Sequence, residues 1–382
     1  YVNEPLRKTG RVDLRFEHYP RDVFSPVKYR AFQGERAGVK FRGNTNFWQV
    51  NRTDEHDWTL RKIPFSVRCE EPHRILNDSN THHFYLGGGY SDISFLRNKL
   101  SYDLFKAMGE VGGEPRPAPD IDWAEVFVNG RYRGLYELGT RVDRHLLGWD
   151  RYDPEETEPA LLYKFLQLGE ECSVAYSVKY PPQFYGLHCE PYEELMDFLR
   201  GASAQEFGDR IERIVNLDSA IDWQLLVNYT DNRDGISTNM YLARGVGADS
   251  RFYFIPWDYD GTFRGRQSSP WLSNALTDRL WRDHPDYQNA LAARWRQLRP
   301  GPLSEASVTA RIDGMNRRLS GYAEWDSSVW GDRYARGITR EEAWAGLRRE
   351  ALERLSWLDE FLGRYSDGLW EGGQTVPRRE SR

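Results

Sequence analysis

Two aspartates and an asparagine in the second half of the chain have types and a spacing that suit metal-assisted phosphoryl transfer. Asn239 follows Asp234 by five residues, and Asp258 lies beyond two short strand-like runs. Transfer of a phosphoryl group needs a carboxylate near the attacking hydroxyl and hard oxygen ligands that hold Mg²⁺ on the phosphates. Asp234 suits the first task, and Asn239 and Asp258 suit the second.

The same spacing occurs in protein kinases, where an Asn five residues after the catalytic Asp helps to hold the metal. Arg233 precedes Asp234 as in the H-R-D sequence, but Asn232 stands in the position of the His, and no D-F-G sequence follows. Asp260, which precedes a Gly, is therefore an alternative to Asp258 as the metal ligand. The spacing also leaves open a purely structural explanation, in which Asp234 and Asn239 only shape a turn and cap the strand.

Two predicted strands position these residues. Residues 240–243 and 251–256 have strand-like sequences and are joined by a turn that contains glycine. An antiparallel hairpin closed at that turn places Asn239 almost opposite Trp257, with Asp258 alongside. Two oxygen ligands then meet at one end of the hairpin, as a metal–phosphate site requires.

The first third of the chain is predicted to be rich in strands. Residues 39–44 and 64–69 alternate between apolar and polar types, and Asn129-Gly130 separates two further strand-like runs. Asn-Gly favours a tight hairpin turn because both residues tolerate a positive φ. Apolar residues at helical spacing over 92–108, after a capping Asp92, predict a helix between these strands.

The second half is predicted to be mainly helical and ends in a long amphipathic stretch over 344–362. The expected fold is α+β, with a strand-rich lobe over 1–165 and a mainly helical lobe over 166–370. A tail over 371–382 is expected to be unstructured. This order of lobes matches a two-lobed kinase but also many unrelated proteins.

The composition excludes some classes of protein. Of the residues, 39% are hydrophobic, which is enough for a sizeable core, and the net charge is −6 with both signs intermixed. A nucleic-acid partner is not expected, since such proteins show an excess of Lys and Arg on one face. No apolar run reaches the ~18 residues of a membrane span.

The three cysteines, Cys69, Cys172 and Cys189, lack the spacing of metal ligands. Free buried thiols are the favoured interpretation, with a disulfide between Cys172 and Cys189 as the alternative. No signal peptide is visible, and the chain begins at Tyr1, which is consistent with removal of an N-terminal segment. The sequence leaves the localisation open.

Several segments together resemble the CotH (spore coat protein H) family of atypical protein kinases. Seven segments follow the order of that family over residues 35–365: Arg42-Gly-Asn44, Arg61-Lys62, 91–98, 128–136, Tyr163-Lys164, 228–241 and 256–260. The resemblance implies a kinase-like two-lobed fold, ATP with Mg²⁺ or Mn²⁺ as cofactor, and phosphorylation of Ser or Thr in a partner protein. It makes a bacterial spore coat or another extracytoplasmic location conceivable, without excluding the cytoplasm.

The resemblance also implies roles for single residues. Asp234 would be the catalytic base, and Asn239 and Asp258 the metal ligands, with Asp260 as the alternative. Lys62 is the first choice for the cation that contacts the phosphates, because it enters a strand and a lysine acts there as a point charge.

Alternatives remain for the phosphate contact and for the chemistry. Arg42 and Lys164 are the other candidate phosphate contacts. A kinase-like fold can also transfer AMP or drive ATP-dependent ligation, and a non-enzymatic coat or adhesion module is a further possibility.

Overall fold

The computed structural model describes most of the chain. The described residues are 12–18, 32–42, 62–76, 80–89, 91–156, 158–165, 168–172, 177–181, 188–247, 250–265, 270–334 and 338–364. The predictions for Gly43-Asn44, Arg61 and the tail over 371–382 lie outside them.

The chain forms two compact units, each assembled from three stretches. Unit 1 comprises Tyr1–Lys99, Pro119–Gly148 and Ile312–Ala345, and unit 2 comprises Leu100–Ala118, Trp149–Arg311 and Gly346–Arg382. The predicted boundary between the two lobes at residue 165 remains a prediction. The expected α+β class is confirmed, because antiparallel sheets and helices are both present.

A six-stranded antiparallel sheet forms most of unit 1, in the order β1-β2-β3-β4-β6-β5. Its strands are β1 Val12–His18, β2 Phe32–Phe41, β3 Phe65–His73, β4 Thr81–Gly87, β5 Ile121–Val128 and β6 Arg131–Thr140. One apolar cluster is shared by the central strands and the segments that flank them: Ala37, Val39, Phe41, Ile63, Phe65, Val67, Cys69, Ile75, Leu76, Phe84, Leu86, Tyr136 and Leu138. The predicted alternation over 64–69 therefore places one face of β3 in the core.

The hairpin of β5 and β6 confirms the turn that Asn-Gly predicted. Asn129 and Gly130 have φ values of 50° and 76° between the two paired strands. A bulge follows in the ladder, where Gly134 has a φ of 106°. A Cβ atom on Gly134 would lie 2.4 Å from a carboxylate oxygen of Asp326, so only glycine allows this close approach.

Helix α1, Arg97–Glu110, begins five residues later than the capping residue that the sequence predicted. Asp92 forms a turn with Ser94, whose N–H it accepts at 3.0 Å. The other oxygen of Asp92 accepts the N–H of Arg97 at 3.0 Å, so this carboxylate still satisfies a donor at the helix start. The helix was therefore predicted correctly, but its first turn was not.

A four-stranded antiparallel sheet lies in unit 2, in the order β10-β9-β7-β8. Its strands are β7 Leu161–Tyr163, β8 Val178–Tyr180, β9 Met240–Arg244 and β10 Phe252–Pro256. The remaining helices are α2 Glu190–Gly201, α3 Ala204–Ile214, α4 Leu217–Thr230, α5 Ala275–Asp283, α6 Tyr287–Leu298, α7 Glu305–Tyr334 and α8 Arg340–Gly363. No helix in the described parts of the chain is long and apolar enough to cross a membrane.

Helix α4 is the central helix of unit 2. Asn216 caps its first turn, and its residues from Ser219 to Thr230 are all buried. Asp222, fully buried in the middle of this helix, accepts hydrogen bonds from Arg116 at 2.8 Å and from Arg294 at 2.7 Å. Because a buried carboxylate is stable only when it is paired, these two contacts fix α4 against its neighbours.

Two of the cysteines form a disulfide, so the prediction of free thiols is wrong for this pair. Cys172 is bonded to Cys189, which precedes α2, and Cys69 is a buried free thiol. The loop before Cys172 also contacts α2, since Tyr192 accepts the N–H of Gly169 at 2.8 Å. This return of the loop to the helix is a tertiary feature that the cysteine spacing does not reveal.

Candidate active site

The hairpin of β9 and β10 brings Asn239 and Asp258 together, as the strand spacing predicted. Met240 pairs with Pro256, and the N–H of Trp257 donates to the carbonyl of Asn239 at 3.2 Å. The side-chain Nδ2 of Asn239 donates to the carbonyl of Asp258 at 3.3 Å. The amide oxygen of Asn239 and the exposed carboxylate of Asp258 therefore lie at the same end of the sheet.

Asp258 has an unusual backbone conformation, with a φ of 61°. This left-handed region is uncommon for residues other than glycine and persists only where the surroundings hold it. The N–H of Asp258 donates to the hydroxyl of Tyr102 at 2.8 Å. Tyr102 lies on α1 and is a residue that the sequence analysis did not select.

The backbone of Asp234 organises the turn that leads to Asn239. Its carbonyl accepts N–H groups from Thr238 and Asn239, both at 2.8 Å. Its side chain is exposed and makes no hydrogen bond or ion pair with any residue that the structure describes. The carboxylate is therefore not needed to shape the turn.

Asn232 has the capping role that the structural explanation assigned to Asp234. Its Oδ1 accepts the N–H of Gly235 at 2.8 Å, and a Cβ atom on Gly235 would lie 2.5 Å from the Asn232 side chain. Asn232 stands where an H-R-D sequence has its His. With Asn in place of His, a buried side chain forms the turn beside Asp234, and the carboxylate of Asp234 is exposed.

Cationic side chains lie close to the same turn. Arg233 is 3.7 Å from the carboxylate of Asp231, the left-handed residue that ends α4. Arg354, on α8, donates to the carbonyl of Asn228. Burial lowers the pKa of Arg354 to about 10, although attraction by Asp231 opposes this effect. The loop that holds Asp234 is thus anchored through α4 and α8.

Asp260, the alternative metal ligand, lies two residues beyond Asp258 and is partly exposed. Tyr259 between them is fully buried and packs edge-to-face on Tyr102, with 5.8 Å between the ring centroids. Asn239 contacts Asp258, so the hairpin favours Asp258 by position.

In the described part of the chain, no three His, Cys, Asp or Glu side chains cluster as candidate metal ligands. Mg²⁺ usually keeps several water ligands and binds through one or two carboxylates together with substrate phosphates. Asn239 and Asp258 fit that mode of binding, because they bring an amide side chain and an exposed carboxylate to the same end of the hairpin.

Lys62, the first choice for the phosphate contact, lies in unit 1 and is 1% exposed. Its Nζ is 2.6 Å from Oδ1 of Asp326 on α7 and lies over the rings of Phe95 and Tyr136, at 4.5 and 5.3 Å from their centroids. Burial lowers the pKa of Lys62 from 10.5 to about 8, although Asp326 opposes this effect. Lys62 is therefore held in a fixed position by a buried ion pair.

Asp326 is shared by several donors. It accepts the N–H of Leu135 at 2.8 Å, and its other oxygen accepts Arg340 at 2.9 Å. Because Gly134 has no side chain, the carboxylate of Asp326 can lie close to the backbone of β6. The sequence analysis selected neither Asp326 nor Arg340, since neither lies in a recognisable motif.

The other two candidate cations lie against aromatic rings. In unit 1, the guanidinium of Arg42 lies 4.2 Å from the centroid of Tyr85. In unit 2, Nζ of Lys164 lies 5.0 Å from the centroid of Tyr241 and 5.7 Å from that of Trp257. Lys164 directly follows β7, the strand that pairs with β9, so its ammonium group lies near the end of the sheet that carries the Asn239–Asp258 pair.

The α+β fold and the spacing of Asp234, Asn239 and Asp258 can be compared with those of known protein families. The model of the CotH kinase protein family matches residues 39–358. The chain therefore belongs to the CotH kinase family, and this membership supports a kinase-like function.

A curated relative gives a more specific similarity. The chain is 26% identical over 218 residues to the inner spore coat protein H of Bacillus subtilis (strain 168). The match covers 54% of this chain and 56% of the relative, so it spans little more than half of the length of that protein.

Proposed function

We propose that this chain is a protein kinase that transfers the γ-phosphoryl group of ATP to Ser or Thr of a protein partner. The observation that carries the proposal is the contact of Asn239 with Asp258 at one end of the hairpin, with the exposed carboxylate of Asp234 five residues before Asn239. Membership of the CotH kinase family supports a kinase-like reaction, and the residues above give it a mechanism.

Asp234 orients the acceptor hydroxyl and takes its proton as the phosphoryl group transfers. Asn239 and Asp258 would hold the divalent cation, Mg²⁺ or Mn²⁺, that binds with the nucleotide. When bound, this cation neutralises charge on the phosphate oxygens. Asp260 is the residue to test if Asp258 proves dispensable.

Lys62 is proposed to contact the phosphates, with Arg42 as a further cation of unit 1. The ion pair with Asp326 fixes the ammonium group of Lys62 and favours its charged form. Because Lys62 is buried in this conformation, a phosphate contact requires its surroundings to open. Lys164, near the hairpin end, is the alternative that needs no such opening.

A spore coat or another location outside the cytoplasm is proposed from two observations. The curated relative is named as an inner spore coat protein. The disulfide between Cys172 and Cys189 is of a kind that persists mainly in oxidising environments. The protein substrate would then be another component of the same compartment that exposes Ser or Thr.

The decisive experiment is the substitution Asp234→Asn, which keeps the size of the side chain but removes its charge and basicity. Purified protein is incubated with labelled ATP, Mg²⁺ or Mn²⁺ and generic protein acceptors, and products are identified by mass spectrometry. We expect kcat to fall about 10²-fold or more, the scale of general-base catalysis, with little change in ATP affinity or thermal stability.

Asp209→Asn is the matched control, since Asp209 is an exposed carboxylate on α3 of the same unit. It should leave the rate unchanged. A folded Asp234→Asn protein with the wild-type rate would refute the role of Asp234. A product that carries AMP instead of a phosphoryl group would replace the proposed reaction with AMP transfer. A wild-type chain that ATP and metal do not stabilise would favour a non-enzymatic module.

A further inference from the structure

A buried tyrosine of α1 contacts the backbone of the proposed metal ligand. Tyr102 is 1% exposed, and its hydroxyl oxygen accepts the N–H of Asp258 at 2.8 Å. The two residues are 156 positions apart in the sequence and both belong to unit 2. The ring of Tyr102 is held by an edge-to-face contact with Tyr259.

Asp258 needs such a partner because of its conformation. Trp257 makes the last hydrogen bond between the backbones of the two strands, since its N–H donates to the carbonyl of Asn239. At Asp258 the chain turns into the left-handed region, with a φ of 61°, and its N–H leaves the ladder. An unbonded N–H would cost free energy here, in addition to the cost of a left-handed conformation without glycine.

Two side chains therefore hold the peptide groups on either side of the Asp258 Cα atom. Tyr102 accepts from its N–H, and Asn239 donates to its carbonyl. With both peptide groups fixed, the direction of the Cα–Cβ bond of Asp258 is fixed as well. Asn239 belongs to the hairpin, whereas Tyr102 comes from a separate helix.

We propose that Tyr102 is a positioning residue that sets the direction of the Asp258 carboxylate for binding of the metal–nucleotide complex. This inference rests on the proposed function, in which Asp258 is a metal ligand. Tyr102 acts through the backbone of Asp258 and is not itself a metal ligand in this proposal. Its loss should therefore weaken metal-dependent steps while leaving acceptor binding and the fold intact.

The test is Tyr102→Phe, which deletes one oxygen and keeps the ring packing. A hydrogen bond of ordinary strength corresponds to a factor of about 2 to 10 in an equilibrium constant. We expect the Mg²⁺ concentration at half-maximal ATP binding to rise by about that factor, with a parallel rise for half-maximal turnover. At saturating Mg²⁺, KM for the protein acceptor should not change.

Amide hydrogen exchange at Asp258, followed by NMR, gives a readout that does not depend on activity. In the Tyr102→Phe protein this amide should exchange faster, while amides in the middle of β9 keep their protection. Tyr229→Phe is the control, because it deletes the hydroxyl of another fully buried tyrosine of unit 2, one that makes no hydrogen bond to any described residue. It should change neither the metal midpoint nor the exchange at Asp258.

The possible outcomes separate this inference from the proposed function. If the wild-type protein shows metal-dependent ATP binding and Tyr102→Phe has the same metal midpoint, the positioning role is refuted and the kinase proposal stands. If the wild-type protein shows neither metal-dependent ATP binding nor transfer, the proposed function fails and the inference fails with it. A shift of the metal midpoint in Tyr229→Phe of equal size would also overturn the inference, because the effect would then come from any buried hydroxyl.

Discussion

Replacement of Lys62 by Met should change how the stability of the protein depends on pH. Lys62 is buried, and burial lowers its pKa from 10.5 to about 8. Between these two pH values the unfolded chain binds a proton at Lys62 that the folded chain does not bind. The free energy of unfolding therefore rises with pH across this window, since it rises wherever the unfolded state binds more protons.

The size of the effect follows from the two pKa values. A difference of 10.5 − 8 = 2.5 in pKa corresponds to about 3 kcal/mol of unfolding free energy over the whole window. Between pH 7 and pH 9.5, Lys62 should contribute a rise of about 2 kcal/mol. A methionine at this position cannot bind a proton, so the Lys62→Met protein lacks this rise. Its free energy of unfolding, relative to that of the wild type, should therefore fall by about 2 kcal/mol over the same pH interval.

Urea unfolding of the wild-type and Lys62→Met proteins at several pH values measures this difference directly. Asp326→Asn provides the opposite case, because it removes the counter-ion and keeps the buried lysine. That variant should be less stable than the wild type at pH 7, and its stability should still rise with pH. A difference between wild type and Lys62→Met that stays constant from pH 7 to 9.5 would refute the reasoning.

Three further experiments test the remaining assignments. Asp258→Ala should abolish turnover and the metal dependence of ATP binding while Tm is retained, because the carboxylate is exposed; normal activity would exclude the metal role. Lys62→Ala should weaken ATP binding more than Lys164→Ala in calorimetric titrations, and the reverse order would assign the phosphate contact to Lys164. Cys172→Ser combined with Cys189→Ala should lower the unfolding free energy by about 3 kcal/mol, the value for a loop of 17 residues; a variant as stable as the oxidised wild type would contradict this.

The sequence was most informative for parts of the structure in which the contacting residues are close together in the chain. The hairpin of β5 and β6 depends on Asn129-Gly130, and the hairpin of β9 and β10 depends on strand lengths that can be counted along the chain. Counting placed Asn239 opposite Trp257 because an antiparallel ladder pairs residues symmetrically about its turn. These parts of the fold and of the candidate site were therefore accessible without coordinates.

The contacts that hold the proposed site residues were not accessible in this way. Asp326 is 264 positions from Lys62, and Tyr102 is 156 positions from Asp258. No periodicity or motif links residues so far apart, because their pairing depends on how whole elements pack. The sequence also did not show that Asn232 would take the capping role and leave the carboxylate of Asp234 exposed.

Unit 1 is assembled from three separate stretches of the chain, and this affects how it can fold during synthesis on the ribosome. Translation adds roughly 5 to 20 residues per second, so the 264 positions between Lys62 and Asp326 correspond to roughly 13 to 50 s. During this interval the nascent strands carry a lysine whose buried counter-ion does not yet exist. The final packing around Lys62 must therefore wait for α7.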